Sequence, residues 1–191
     1  DEQDAMSESI LAMTPPKADQ RIRVYLRLHA EGFGFDESRM AVTGHSAGGR
    51  LAICLAGHEP TITRAVSLAG VLDVHRAFEL HLSNDAVVEF LGGTPEQVPE
   101  FYRDAEPLKL KVAARQAIVT GDADDVIPPE FSREYVASRK AGEQVELLAI
   151  PNAGHFELIG PRTEAFKDPG QAFGPTANGP SEGTFQRTPA R

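Results

Sequence analysis

A chain of 191 residues that is 41% apolar and 7% aromatic can bury the core of one domain, and it carries no apolar run long enough to span a membrane. Nineteen Lys and Arg against 28 Asp and Glu leave a net charge of −9, which excludes nucleic acid as the main partner and reads as a solubilising surface. Cys54 is the only cysteine, so there is no internal disulfide, and the spacing Leu51, Cys54, Leu55 predicts a buried helix face.

Residues 1–18 read as a loose acidic lead-in broken by Pro15-Pro16, without the basic-then-apolar pattern of an export signal, so export is not indicated and a cytoplasmic location is expected. A single domain is expected over 19–166. It opens with a helix capped by Asp19 that runs to about His29, with Ile22, Tyr25, Leu26 and His29 sharing one face. A strand over 39–43, a helix over 48–56 stopped by Gly57, and a strand over 65–69 follow. Residues 71–115 form a long cap-like excursion; within it Thr94-Pro95-Glu96-Gln97 has capping-box spacing with proline at the first helical position. Connections of that length usually carry function. A third strand over 116–120, a helix over 129–140 ending at Gly142, and a fourth strand over 145–150 complete the pattern. Apolar strands separated by helices predict a parallel sheet covered on both faces. From residue 167 the density of Pro and Gly predicts a disordered tail.

The stretch Gly44-His45-Ser46-Ala47-Gly48-Gly49 joins the first strand to the helix after it. A serine on a sharp strand-to-helix turn takes a strained backbone, and glycines two residues to either side, at 44 and 48, relieve the crowding. There the Ser46 hydroxyl projects from the top of the sheet, and the Ala47 N–H can face a developing oxyanion. Gly179-Pro180-Ser181-Glu182-Gly183 also fits Gly-x-Ser-x-Gly, but no strand precedes it and Pro180 and Glu182 suit neither turn nor helix start.

A serine nucleophile needs a base, and the base needs a carboxylate to fix its tautomer. After the third strand come Asp122, Asp124 and Asp125, with Asp73 after the second as an outsider; after the fourth comes Gly154-His155-Phe156. These loops leave the C-terminal ends of parallel strands, the rim where such sheets hold their sites. Of the six histidines only His155 occupies a small-residue loop there, and the order Ser, Asp, His is that of hydrolases with a nucleophile elbow. Asp122-x-Asp124 imitates the start of a calcium loop but fails at Val126 and Ile127, so neither metal nor cofactor is required.

At these residues the chain resembles the alpha/beta-hydrolase superfamily, in particular its serine esterase and kynurenine-formamidase-like branch, with prolyl-oligopeptidase-type catalytic domains as close relatives. The likeness covers roughly residues 19–162. It implies Ser46 as nucleophile and Ala47 as oxyanion donor. The family's acid loop, His-Gly-x-x-Asp-x-x-Val-Pro, is matched by Thr120 to Pro128 with threonine and isoleucine substituted, which selects Asp124. Gly154-His155-Phe156 matches the base loop. Ser67 to Asp73 and Phe90 to Pro95 also look like segments of this branch that line the acyl or leaving-group side of the pocket.

The family begins with about four further strands and a His-Gly-Gly loop that gives a second oxyanion hydrogen bond, and residues 1–39 contain neither. The chain therefore reads as the C-terminal part of an alpha/beta-hydrolase fold. The strand before Ser46 is then a bare sheet edge through which two copies could pair. The function expected is that of a serine hydrolase cleaving a small-molecule ester or amide; the alternative is a catalytically impaired remnant that binds a partner.

Overall fold

The computed structural model describes residues 40–163. The expected lead-in, the helix over 19–29 and the tail from 167 lie outside the described residues. Four parallel strands form one sheet in the order β1-β2-β3-β4: β1 (Met40–His45), β2 (Ile62–Leu68), β3 (Arg115–Gly121) and β4 (Val145–Ile150). Helix α1 (Ala47–His58) crosses from β1 to β2, and α5 (Glu130–Ala137) crosses from β3 to β4. Between β2 and β3 lies the excursion, with α2 (Val74–Glu79), α3 (Ala86–Leu91), α4 (Pro99–Ala105) and a 3-10 turn at Pro107–Lys109.

The faces of the sheet follow from strand alternation. Ile118 of β3 points into a cluster with Ile53, Leu55 and Ala56 of α1, Ala65 of β2 and Tyr135 of α5. Val119, its neighbour, points to the opposite face and packs with Ala69, Ile150, Ala153 and Leu158. Thus α1 and α5 cover one face, while among the described residues the segment after β4 covers the other. Strand β3 is buried along nearly its whole length, as its central place in the order requires. Cys54 is buried on α1, on the face its spacing predicts. Among the described residues β1 pairs only with β2 and so forms an edge.

Several boundaries differ from the sequence reading. Helix α1 runs one residue past Gly57, to His58, where burial of its apolar face outweighs the low helix propensity of one glycine. Strand β2 starts at Ile62, because Ile62 is buried while the polar Thr63 and Arg64 that hid the strand point outward. Helix α5 ends at Ala137, not at 140. There the Ser138 hydroxyl donates to the Tyr135 carbonyl at 2.7 Å, and Arg139 turns back to donate to the carbonyls of Leu108 and Leu110 at 2.6 and 3.0 Å. The capping box at Thr94 forms in part, with Gln97 Oε1 accepting from the Thr94 N–H at 2.9 Å, yet it closes an isolated turn and α4 begins only at Pro99. Proline at 99 suits the first helical turn better than proline at 95 because its neighbours Phe101 and Tyr102 can be buried.

Candidate active site

Strand β1 runs straight into the turn at Ser46, whose φ of 56° and ψ of −123° lie outside the region a serine ordinarily adopts. The surroundings hold this strain in place. The Ser46 N–H donates to the Leu68 carbonyl at 2.8 Å, and the Ser46 carbonyl accepts from Gly49 at 2.9 Å, Arg50 at 3.3 Å and Val71 at 3.4 Å. Both backbone groups of the serine are therefore tied, one to the end of β2 and the other to α1.

Glycine is required here at positions that differ partly from those expected. A Cβ at Gly44 would lie 2.1 Å from the Gly48 carbonyl oxygen, so the strand can pass the helix start only without a side chain. A Cβ at Gly48 would meet nothing within 4 Å, and steric relief by Gly48 is not needed. The second crowded position is Gly49, where a Cβ would come 2.7 Å from the buried Ser67 Oγ and 2.9 Å from the Gly70 Cα. Helix α1 is thus pressed against the end of β2.

The acid and base loops are pressed together in the same way. A Cβ at Gly121 would lie 2.1 Å from the Ala153 carbonyl oxygen, and that oxygen accepts from the Ala123 N–H at 3.0 Å. Asp122 Oδ1 accepts from the Asn152 N–H at 2.5 Å. Across this junction His155 Nδ1 meets Asp124 Oδ2 at 2.8 Å, with both side chains buried. The other Asp124 oxygen accepts from the N–H groups of Val126 and Ile127 at 2.9 and 2.8 Å. A carboxylate can only accept in this bond, so Nδ1 carries a proton, and in the neutral ring Nε2 is the nitrogen with the free lone pair.

The remaining candidates have other partners. Asp73 caps α2, accepting from the Arg76 N–H at 2.8 Å; Asp122 and Asp125 are exposed. Ser46 stands at the end of β1 on the same rim, and Ala47 is the first residue of α1, so its N–H has no intrahelical acceptor. The hydrogen bonds of the described residues include the His155–Asp124 link but none from the Ser46 hydroxyl to His155. Contact between the two loops comes through the neighbour of the serine: His45 Nε2 donates to the His155 carbonyl at 2.9 Å, and the two rings lie 4.4 Å apart.

Beside Ser46 opens a cavity of about 300 Å³, walled mainly by apolar side chains from the excursion and the acid loop, among them Val71, Val74, Val87, Phe90 and Ile127. No helix among the described residues is long and apolar enough to cross a membrane.

The sequence profile of the prolyl oligopeptidase family matches residues 15–168. The chain belongs to the prolyl oligopeptidase family. Over 165 residues it is 30% identical to the esterase LipC of Mycobacterium tuberculosis, an alignment covering 73% of this chain and 40% of LipC. Its fold superposes on a puromycin hydrolase with a TM-score of 0.64 at 26% identity, covering 71% of this chain and 21% of that one. A truncated carbohydrate esterase from gut microbiota also gives a TM-score of 0.64, at 20% identity, over 86% of this chain and 70% of that one. The chain thus spans less than half the length of LipC and about a fifth of the puromycin hydrolase. The described residues carry the parallel sheet and flanking helices of the alpha/beta-hydrolase fold.

Within this family member two residues near Ser46 escaped the sequence reading. His45 braces the base loop through the bond from its Nε2 to the His155 carbonyl. Burial holds its ring below the ordinary histidine range, outweighing the opposing pull of its bond to the His155 carbonyl. Arg50, one turn into α1, is only 7% exposed. No spacing rule marks either, because both depend on which loops cross over the elbow.

The excursion is anchored by a third such residue, Glu106. Its oxygens accept from the Val74 and Leu108 N–H groups at 3.3 and 3.1 Å, and burial, with a smaller contribution from nearby Asp73, raises its carboxyl to about 7. The folded state therefore keeps the Glu106 proton over a window, from about 4.5 to 7, in which the unfolded chain has lost it. Stability from this group is full at the acid end and falls by about 3 kcal/mol as pH rises through 7. Replacing Glu106 with Gln is expected to flatten this slope: in thermal melts from pH 5 to 8 the wild type should lose more stability than the variant between pH 5 and about 7, and the two should run parallel above that. Curves parallel over the whole range would contradict the assignment.

Proposed function

We propose that this chain is a serine hydrolase acting on a carboxylic ester or amide. The Ser46 hydroxyl attacks the carbonyl while His155 Nε2 accepts its proton, and Asp124 holds the ring in the Nδ1–H tautomer and stabilises the imidazolium that forms. The Ala47 N–H faces the oxyanion. The tetrahedral intermediate collapses as His155 returns its proton to the departing alcohol or amine, leaving an acyl group on Ser46. Water then attacks the acyl-enzyme with His155 again as base, releasing the acid and restoring the serine.

The observation that carries this reading is the buried His155–Asp124 pair on a loop bonded to His45, the neighbour of a serine held at positive φ. A neutral imidazole whose Nδ1 is committed to a carboxylate has one task left for its second nitrogen. The matches to an esterase and to puromycin hydrolases support the same class of chemistry, and the apolar cavity suits an uncharged portion of the acyl group. A fluorophosphonate probe is expected to label the folded chain, with the adduct on Ser46 by peptide mass spectrometry and none on the Ser46→Ala protein. A folded sample that stays unlabelled would return the alternative, a remnant that binds without catalysing.

A further inference from the structure

Arg50 places a cation in a wall that is otherwise nearly all apolar. It lines the cavity beside Ser46 and is 7% exposed. Its Nη1 donates to the Ala105 carbonyl at 3.0 Å and to Cys54 Sγ at 3.6 Å, and the Phe90 ring lies 5.2 Å from its guanidinium carbon. These contacts fix one edge of the guanidinium and tie α1 to the C-terminus of α4. They leave Nε and Nη2 without an acceptor among the described residues, and no Asp or Glu of those residues pairs with the charge.

Nε and Nη2 are not among the enclosed unpartnered polar atoms, so on the wall of a mostly apolar cavity they meet only solvent, which an entering carboxylate would replace with an ionic partner. The unused Nε–Nη2 pair is the planar fork that binds a carboxylate bidentately. We propose that Arg50 is a specificity-determining residue that binds a carboxylate on the acyl side of the substrate. The proposal rests on the serine-hydrolase reading for the word acyl, though the carboxylate site itself does not.

Both ends of that acyl group fall within one cavity. Arg50 sits one turn of α1 beyond Ser46, its N–H donating to the Ser46 carbonyl at 3.3 Å, and one turn rises about 5.4 Å. Ser46 and Arg50 line the same cavity, so an acyl group that fills it reaches from a carbonyl at Ser46 to a carboxylate at Arg50, and a glutaryl group serves as the probe. The apolar walls at Val74, Val87 and Ile127 take those methylenes and keep water from the ion pair, which strengthens it. A purely structural Arg50 would explain Nη1 and leave the other donors idle.

The test is a pair of ligands that differ only at the fork. Glutaranilic acid and its neutral isostere N-phenylglutaramide are titrated calorimetrically into the Ser46→Ala protein, so that turnover plays no part. The carboxylate is expected to bind at least about tenfold tighter, and Arg50→Met, added to the same protein, to make the two ligands equal. Arg50→Lys keeps the charge without the fork and should cut the carboxylate affinity at least about threefold with the neutral ligand unmoved. It serves as the test if the Met variant does not fold. Equal affinities in the parent protein, a preference that survives Arg50→Met, an unchanged affinity in Arg50→Lys, or no binding of either ligand would each overturn the assignment. Fluorophosphonate labelling of the unsubstituted protein separates the two claims. Labelling without carboxylate preference removes only the role of Arg50, and preference without labelling removes only the hydrolase.

Discussion

Asp124→Asn is expected to lower turnover of a 4-nitrophenyl ester by about four orders of magnitude while leaving the fold close to intact. The effect comes from the two different sets of partners that the carboxylate serves. Oδ1 accepts from the Val126 and Ile127 N–H groups, and Oδ2 accepts from His155 Nδ1. An asparagine has one oxygen for these two tasks. Two backbone donors hold that oxygen at the Oδ1 position, so the amide NH₂ faces Nδ1 and donates to it. The ring must then carry its proton at Nε2, the nitrogen proposed to receive the proton of Ser46, and the proposed base is switched off by tautomer rather than by displacement. A thermal melt within a few degrees of wild type, together with the rate loss, would separate this from unfolding. A loss of less than tenfold in the folded variant would contradict the role given to Asp124.

Gly44→Ala and Gly48→Ala are expected to part company in stability although both alter the same motif. At Gly44 the new methyl would be driven to 2.1 Å from the Gly48 carbonyl oxygen and 2.3 Å from its carbon, two backbone atoms that cannot rotate away. Strand and helix must separate to admit it, which also breaks the tie from the Ser46 N–H to the Leu68 carbonyl. A loss of about 3 kcal/mol or more follows, at the upper end of overpacking costs. At Gly48 the methyl meets nothing within 4 Å on a residue already inside α1, so the substitution should be neutral or add about 0.5–1 kcal/mol through helix propensity. Urea unfolding of the two variants beside the wild type measures both. Similar losses in the pair would mean that the elbow does not pack as described.

The strand-helix alternation was legible because each strand is a short apolar run and each crossover helix carries a periodic buried face. Those are local signals set by burial, and β3 and β4 appear within a residue of where the pattern puts them. The rim was legible for a related reason: in a parallel sheet every loop that follows a strand emerges at the same edge, so Ser46, Asp124 and His155 share an edge by topology alone. What could not be read were features that depend on one loop lying across another. Gly49 and Gly121 are needed because Ser67 and Ala153 happen to press on them, and His45 and Arg50 matter because the base loop and α4 reach over the elbow. The motif assigned steric relief to Gly48 by symmetry about the serine, but strand and helix approach the turn at different angles and only the side at Gly44 is crowded. The capping box at Thr94 failed as a helix signal for a similar reason. Local hydrogen bonds closed a turn there, and the helix waited for the residues that tertiary contacts could bury.

In the proposed reaction Ser46 becomes covalently acylated with His155 as its base. Quenching the protein with acid during turnover of a 4-nitrophenyl ester and taking the intact and peptide masses reads this directly. The account predicts a mass increase equal to the acyl group, located on the peptide containing Ser46 and absent from His155→Ala. Hydrolysis that proceeds with no adduct under conditions where release of the acid is slow, or with the adduct on another residue, would contradict it.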